Sequence, residues 1–183
     1  PGGLLASTRK IVEHLLNTEV PSVVYVSPRG ARAASAGTFI TAAATFAIMA
    51  PGTNIGAASP VGNAGKDMDK TMASKVTEDA AALMRGIASE RGRNAEMLEK
   101  TVREAIAFDA EQAVELNVVD FIAQDVPDLL RQLHGRSAST PARGGAINTV
   151  DIEVHVLRMS LVERLLMFLA DPNVSFLLLS LGG

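Results

Sequence analysis

The sequence predicts a layered α/β domain, on three observations. Short β-branched or aromatic runs, at 23–26 and 118–122, alternate with stretches whose apolar residues recur at helical spacing. Turn-forming residues separate them, at Pro28, Gly30, Pro51, Gly52, Gly92 and Asn117. With 183 residues, 48% of them hydrophobic, the chain can bury one core. Strands alternating with helices put active groups on the connecting segments at the strand ends.

Taken in order, Leu5, Thr8, Val12, Leu15 and Leu16 share one helix face, and Pro21 ends that helix because proline disfavours helix before it. Residues 23–26 read as a short buried strand closed by Pro28-Arg29-Gly30. A small-residue helix is expected from about Ser35 through Phe39, Ile40, Ala43 and Ala47, followed by a brief strand at Ile48-Met49-Ala50. Residues 52–70, rich in Gly, Asn, Ser, Pro and Lys, read as a long surface loop of the kind that often carries function. Val76, Ala80, Leu83 and Ile87 then mark a helix capped by Thr71 or Ser74 and ended by Gly92. A helix at 95–102 follows, then Ile106-Ala107-Phe108 and a helix from a cap at Asp109 through Leu116, with Asn117 as a left-handed C-terminal cap. The strand at 118–122 and a helix at 126–133 complete the first domain, 1–134.

After His134 the chain turns small and polar, so 135–146 is expected as a linker. In 147–183, Val150, Ile152, Val154 and Val156 alternate with Asp151, Glu153 and His155, the period of a half-buried strand. Residues 157–170 form an amphipathic helix, and the apolar run 174–181 is shorter than the roughly 20 residues of a membrane-spanning helix. It reads either as the truncated start of a membrane region or as a short buried helix or strand. No targeting segment is visible, and the opening without methionine reads as a piece of a longer protein.

Composition narrows the chemistry. A net charge of -3 with both signs interspersed gives no electrostatic footprint for nucleic acid. The absence of cysteine removes disulfides, thiolate nucleophiles and cysteine zinc sites. His14, His134 and His155 stand at no metal-ligand spacing, so no metal and no cofactor is expected.

Ser35 lies in Ala33-Ala34-Ser35-Ala36-Gly37-Thr38, where neighbours of almost no volume let a substrate backbone come close. A nucleophilic serine needs a base. No histidine is near in sequence, whereas Lys75 falls forty residues on, at an expected helix start where the positive dipole end disfavours a protonated amine. Ser35 with Lys75 is therefore the candidate dyad, with Lys66 and Lys70 as rival bases. The same run also suits a serine packed between close helices.

Pro1-Gly2-Gly3, the run around Ser35, Met49-Ala50-Pro51-Gly52-Thr53-Asn54-Ile55-Gly56-Ala57, Gly92-Arg93-Asn94 and the segment from Glu111 to Asp120 together resemble NfeD-type membrane-bound serine proteases, partners of stomatin-like proteins. The resemblance covers 1–134 and continues into the tail. It implies a Clp protease/crotonase fold and a serine endopeptidase that cleaves apolar segments, with stomatin-like tails as substrates. By that resemblance Ser35 is the nucleophile and Lys75 the base, while the backbone N–H groups of Gly3 and Ala36 form the oxyanion hole. Gly2, Tyr25, Phe39 and Pro60 are expected to shape the turn and line the substrate groove. It further implies a homo-oligomer, membrane association through the C-terminal region, a protease domain on the extracytoplasmic side, and first strands lying before Pro1. Asn117 stands where relatives often carry glycine. Two other readings share the features: a crotonase-fold scaffold or binding module without proteolysis, and a signal-peptide-peptidase relative with Ser-Lys chemistry.

Overall fold

A computed structural model of the chain describes residues 5–60, 69–140, 144–169 and Val174. It divides into two units, Pro1–Val150 and Asp151–Gly183. In the first, β1 (Val23–Val26) and β3 (Phe46–Met49) run parallel, and β6 (Phe121–Ile122) joins β3 on its other edge, also parallel. The register of β1 on β3 is set where both begin: the Ser22 N–H donates to Thr45 Oγ1 (3.1 Å) and the Thr45 N–H to Ser22 Oγ (3.0 Å), which pairs Val23 with Phe46. A second sheet is formed by β2 (Arg32–Ala34), parallel to β4 (Asn54–Gly56), and β5 (Ala107–Asp109), antiparallel to β4.

Every residue of β3 is buried, which requires an apolar layer on each face of its sheet. Successive side chains alternate. Ala47 and Met49 enter one cluster with Val12 of α1 (Leu5–Asn17), Phe39 of α2 (Ala36–Ala43), Met84 and Ile87 of α3 (Lys70–Glu90), and Leu98 and Val102 of α4 (Ala95–Arg103). Phe46 and Ile48 enter another with Phe121, and with Leu129 and Leu133 of α6 (Val126–Leu133). Between them in sequence, α5 (Ala110–Glu115) begins with a capping box of Asp109 and Gln112. Asn117 adopts the expected left-handed conformation (φ 55°) and its side-chain amide donates to the Gly92 carbonyl (3.0 Å).

Several expectations are corrected. The expected 135–146 linker is a hairpin of β7 (Ser137–Ser139) and β8 (Gly144–Ala146) that belongs to the first unit. Ala138 is buried in the second cluster with Ile147 against it, and the Arg136 guanidinium stacks 4.3 Å from the Phe121 ring centre. Covering Phe46 and Phe121 outweighs the turn-rich composition. The helix from Ser35 stops at Ala43, and Phe46 and Ala47 belong to β3. The stretch 52–70 begins with a strand, β4, and β2 is a further strand that three small or charged residues did not advertise. Residues 61–68 lie outside the described residues. The expected strand through 150–156 pairs with no other strand among the described residues. In the second unit, α7 (Leu161–Leu169) starts with a reciprocal cap: the Ser160 N–H donates to Glu163 Oε2 (2.7 Å) and the Glu163 N–H to Ser160 Oγ (3.2 Å). No helix among the described residues is long and apolar enough to cross a membrane. The apolar run 174–181 lies, apart from Val174, outside them.

Two arginines close the C-terminal end of α2. Arg93, 6% exposed, donates from Nε to the Ala42 carbonyl and from Nη2 to the Ala44 carbonyl (both 3.1 Å), and its Nη2 sits 2.9 Å from Asp120 Oδ2. The same carboxylate oxygen accepts the Ala47 N–H (2.6 Å) at the start of β3. Arg91 donates to the Ala43 carbonyl (2.8 Å) and to the Leu15 carbonyl near the end of α1 (2.7 Å). These cations satisfy carbonyls that a helix end leaves orphaned. On the surface, Arg103 of α4 bonds both Glu78 of α3 and Glu99, and Arg85 donates to Glu99 (2.6 Å). Hydrogen bonds from Arg103 hold the Glu78 and Glu99 carboxyls below the ordinary glutamate range.

Replacing Arg93 with methionine leaves the Asp120 carboxylate without its counter-charge and two helix-end carbonyls without their donor, so Arg93→Met is expected to lose about 3 kcal/mol in urea unfolding. Because the Glu78 and Glu99 carboxyls are depressed, their contribution is present at neutral pH and is lost as pH falls from the ordinary glutamate range through their lower folded values. Melting temperature should therefore fall between pH 7 and pH 3 by a smaller amount in Arg103→Ala than in the parent chain.

Candidate active site

Ser35 occupies the junction between β2 and α2, with φ 54° and ψ −121°. That pairing lies outside the regions open to residues with a Cβ. The surrounding hydrogen bonds enforce it. The Ser35 N–H points at the Gly56 and Ala57 carbonyls (3.3 and 3.2 Å), while the Ser35 carbonyl accepts the Thr38 N–H (3.0 Å). Thr38 is fully buried, and its hydroxyl is shared between the Ala33 and Gly56 carbonyls (2.9 Å each), tying the first turn of α2 to β2 and β4.

Gly56 is glycine for a steric reason. Its φ is 136°, and a Cβ there would collide with the Ile106 carbonyl oxygen and lie 2.6 Å from Ala107 Cα. The next residues keep that close approach. The Ala57 N–H donates to the Ile106 carbonyl and the Ala58 N–H to the Thr101 carbonyl (2.8 Å each), and Ser59 Oγ donates to the Val102 carbonyl (2.5 Å). The segment leading to Pro60 is thereby fixed along the end of α4. Thr38 and Gly56 are the positioning residues that sequence reasoning missed. Their signal was present, since both fall inside the quoted runs at 33–38 and 49–57.

Serine is a favoured N-cap, yet the Ser35 hydroxyl makes no capping bond to α2. It donates to and accepts from no group among the described residues, and the residue is only half-buried. The Ala36 and Gly37 N–H groups, at the positive end of α2, have no backbone partner among the described residues. A hydroxyl turned away from its own helix beside open N–H donors suits attack on a carbonyl whose oxygen becomes anionic.

Lys75 is exposed on α3. The helix starts at Lys70 after Asp69, so Thr71 and Ser74 are interior residues rather than caps and Lys75 is its sixth residue. The expected position of Lys75 at the helix start is thereby corrected, and the helix dipole, which falls off within the first turn, does not act on it. No hydrogen bond joins Ser35 and Lys75, and Lys75 forms no ion pair among the described residues. One helical turn beyond Lys75, Asp79 pairs with Arg9 and ties α3 to α1, the helix that follows the Gly2-Gly3 segment. Gly2, Gly3 and the rival base Lys66 lie outside the described residues, and Lys70 is exposed at the first position of α3.

The expected groove residues are not brought together. Phe39, at 3% exposure, is a core residue and offers a substrate no surface. Tyr25 donates its hydroxyl to the Ala123 carbonyl (2.8 Å) and packs on the second cluster. Burial raises its phenol above the ordinary value, with Asp125 and Asp128 adding to the shift. It lines a cavity of about 300 Å³ at the C-terminal ends of β1, β3 and β6, whose walls include Pro28, Arg29 and Asp125 but not Ser35. Pro60 is half-buried at the end of the segment from Gly56.

The fold and this turn together define an α/β domain built to present one serine at the head of a buried helix. The chain belongs to the family described as NfeD1b, N-terminal domain, whose model matches residues 1–140. It is 34% identical over 185 residues to the membrane-bound protease PH1510 of Pyrococcus horikoshii, covering 100% of this chain and 42% of that protein. It thus spans less than half the length of that relative. Among solved structures it resembles the 1510-N membrane protease specific for a stomatin homolog from Pyrococcus horikoshii, with a TM-score of 0.79 at 30% identity, covering 93% of this chain and 78% of that one. It also resembles a lysine-to-alanine mutant of the 1510-N stomatin-specific protease in complex with a substrate peptide (TM-score 0.83, 30% identity, 93% and 80% covered). A serine-to-alanine mutant of the same protease matches at TM-score 0.78 and 32% identity, covering 87% and 79%.

A strained serine backbone has a measurable consequence. Such a conformation costs about 1–3 kcal/mol, and glycine removes it while losing up to about 1 kcal/mol through its freer unfolded state. Ser35→Gly is expected to be more stable than Ser35→Ala by roughly 1 kcal/mol in denaturant unfolding.

Proposed function

We propose that this chain is the catalytic domain of a serine endopeptidase in which Ser35 attacks a peptide carbonyl and Lys75 acts as its base. The observation that carries the reading is the Ser35 turn, with its positive φ, uncommitted hydroxyl and adjoining open N–H groups. The relatives add a second line. One mutant of the 1510-N protease replaces a serine and another a lysine, 41 residues apart in that chain, and Ser35 and Lys75 are 40 apart here.

In the proposed reaction the neutral Lys75 amine takes the Ser35 proton as Oγ bonds to the carbonyl carbon. The Ala36 N–H receives the oxyanion, and the family resemblance assigns the second donor to the Gly3 N–H, each such donor being worth about a hundredfold or more in turnover. The lysinium then protonates the leaving amine, and water, deprotonated by the same lysine, releases the acyl group. In this reading the domain has the Clp protease/crotonase fold and acts in a homo-oligomer. Apolar segments are the substrate class, with a stomatin-like protein as the natural target, since the solved relatives are named for a stomatin homolog. Pro60, at the end of the segment that runs on from Gly56, borders the approach to the site. Membrane attachment runs through the C-terminal region, and the domain faces the extracytoplasmic side.

Cleavage of an apolar peptide by a chain extended at both ends tests this. Ser35→Ala and Lys75→Ala are each expected to lower kcat more than about a thousandfold, and the double variant no further, because the two act as one unit. Undiminished turnover in Lys75→Ala would move the base to Lys66 or Lys70. No turnover by the parent, with no labelling of Ser35 by a serine-directed probe, would favour a crotonase-fold binding module, a role that an exposed Lys75 without a bond to Ser35 also fits.

A further inference from the structure

Residues 152–156 carry an apolar row that no described residue of their own unit covers. Ile152, Val154 and Val156 are 45%, 57% and 73% exposed. Glu153 and His155 lie on the other side, their side chains 3.5 Å apart, which places residues two apart on one face, as in a strand. The row starts abruptly, because Asp151 has φ 55° and ends any extended run there. The segment has strand patterning and a free edge on both sides among the described residues, with no ladder partner. Such an edge is a template for another strand.

We infer that this segment pairs antiparallel with the same segment of a second copy of the chain, in the register that sets Val154 opposite Val154. The alternation of polar and apolar side chains selects both partner and register. With Val154 on the two-fold axis, Ile152 faces the second copy's Val156, and Glu153 faces the second copy's His155, twice over. An imidazole N–H opposite a carboxylate, and β-branched residues opposite one another, are favourable cross-strand neighbours. Moving the axis to Glu153 sets two glutamates face to face, and moving it to His155 sets two histidines face to face. A two-stranded ribbon is marginal on its own. The exposed apolar residues of α7, among them Leu161, Leu165, Leu166 and Phe168, begin five residues after Val156 and offer the cover such a ribbon needs. This gives the proposed self-association a surface and is independent of proteolysis, since its test needs no substrate.

The chain has no cysteine, so an introduced one is unique. Under mild oxidation of the 183-residue chain, Val154→Cys is expected to form an interchain disulfide. Opposed residues of an antiparallel pair lie about 4.5–5.5 Å apart, within disulfide range. Glu153→Cys alone should crosslink at least about tenfold more slowly, its own counterpart being a diagonal neighbour at about 7–8 Å. Mixing Glu153→Cys with His155→Cys chains should give a crosslinked heterodimer. Glu153→Lys should weaken dimerisation about fivefold by light scattering, and adding His155→Glu should restore it. The inference is overturned if Glu153→Cys crosslinks as fast as Val154→Cys. It also falls if the chain stays monomeric without crosslinks, or if it floats with liposomes as a monomer, which would make lipid the occupant of the apolar row.

Discussion

The fold turns on the contact between Arg93 and Asp120. One guanidinium, almost wholly buried, ends α2 by taking the Ala42 and Ala44 carbonyls, and the carboxylate it pairs with fixes the N–H of Ala47, the second residue of β3. Asp120 also returns its own N–H to the Ala47 carbonyl (2.8 Å), so β6 is led onto β3 by the same pair. A buried charge is expensive unless every donor is used. Here two helix-end carbonyls and a carboxylate take its Nε and Nη2 donors, and in doing so they set where α2 stops and where β3 and β6 begin.

The opposite end of α2 carries the functional consequence. A helix clamped at its C-terminal end and wedged by Thr38 at its N-terminal end leaves the intervening residues little freedom to relax the Ser35 turn. The strain at φ 54° persists because Gly56 allows the β4 backbone to approach Ala107 more closely than any side chain would. The catalytic reading therefore rests on two residues that touch no substrate. Lys75 is under a looser constraint. It sits on an exposed helix face anchored to its neighbours by ion pairs through Asp79 and Glu78, so its position relative to Ser35 depends on how α3 is docked rather than on a bond between the two side chains.

Much of this was legible in the sequence. Helices with strong periodicity, such as that marked by Val76, Ala80, Leu83 and Ile87, and turn residues with a conformational reason, such as Asn117, were read correctly because their signals are local. The hairpin at 137–146 was not, because Ala138 and Ile147 are informative only once Phe46 and Phe121 are known to need cover. Phe39 was placed in a groove on the strength of its neighbourhood to Ser35, although a helix that presents its head to a substrate buries its body. The serine was legible through its small neighbours. The means of straining it were not, since Gly56 and Thr38 lie 21 and 3 residues from Ser35 and act by contacts that sequence spacing does not encode.

A serine held in a conformation suited to glycine sets stability against function at one position. If the hydroxyl served only to cap α2, relaxing the turn would let it reach the open N–H groups of its own helix and gain the usual capping energy of about 1 kcal/mol. The fold forgoes that bond and accepts the backbone strain as well. Both costs are spent at the same residue, and both leave the hydroxyl uncommitted beside donors that are also uncommitted. Neither is needed for packing, because Thr38 and Phe39 already anchor the helix. A structural serine has no use for this arrangement, whereas a nucleophile requires it, since it must be free of its own helix before it can be activated by a base.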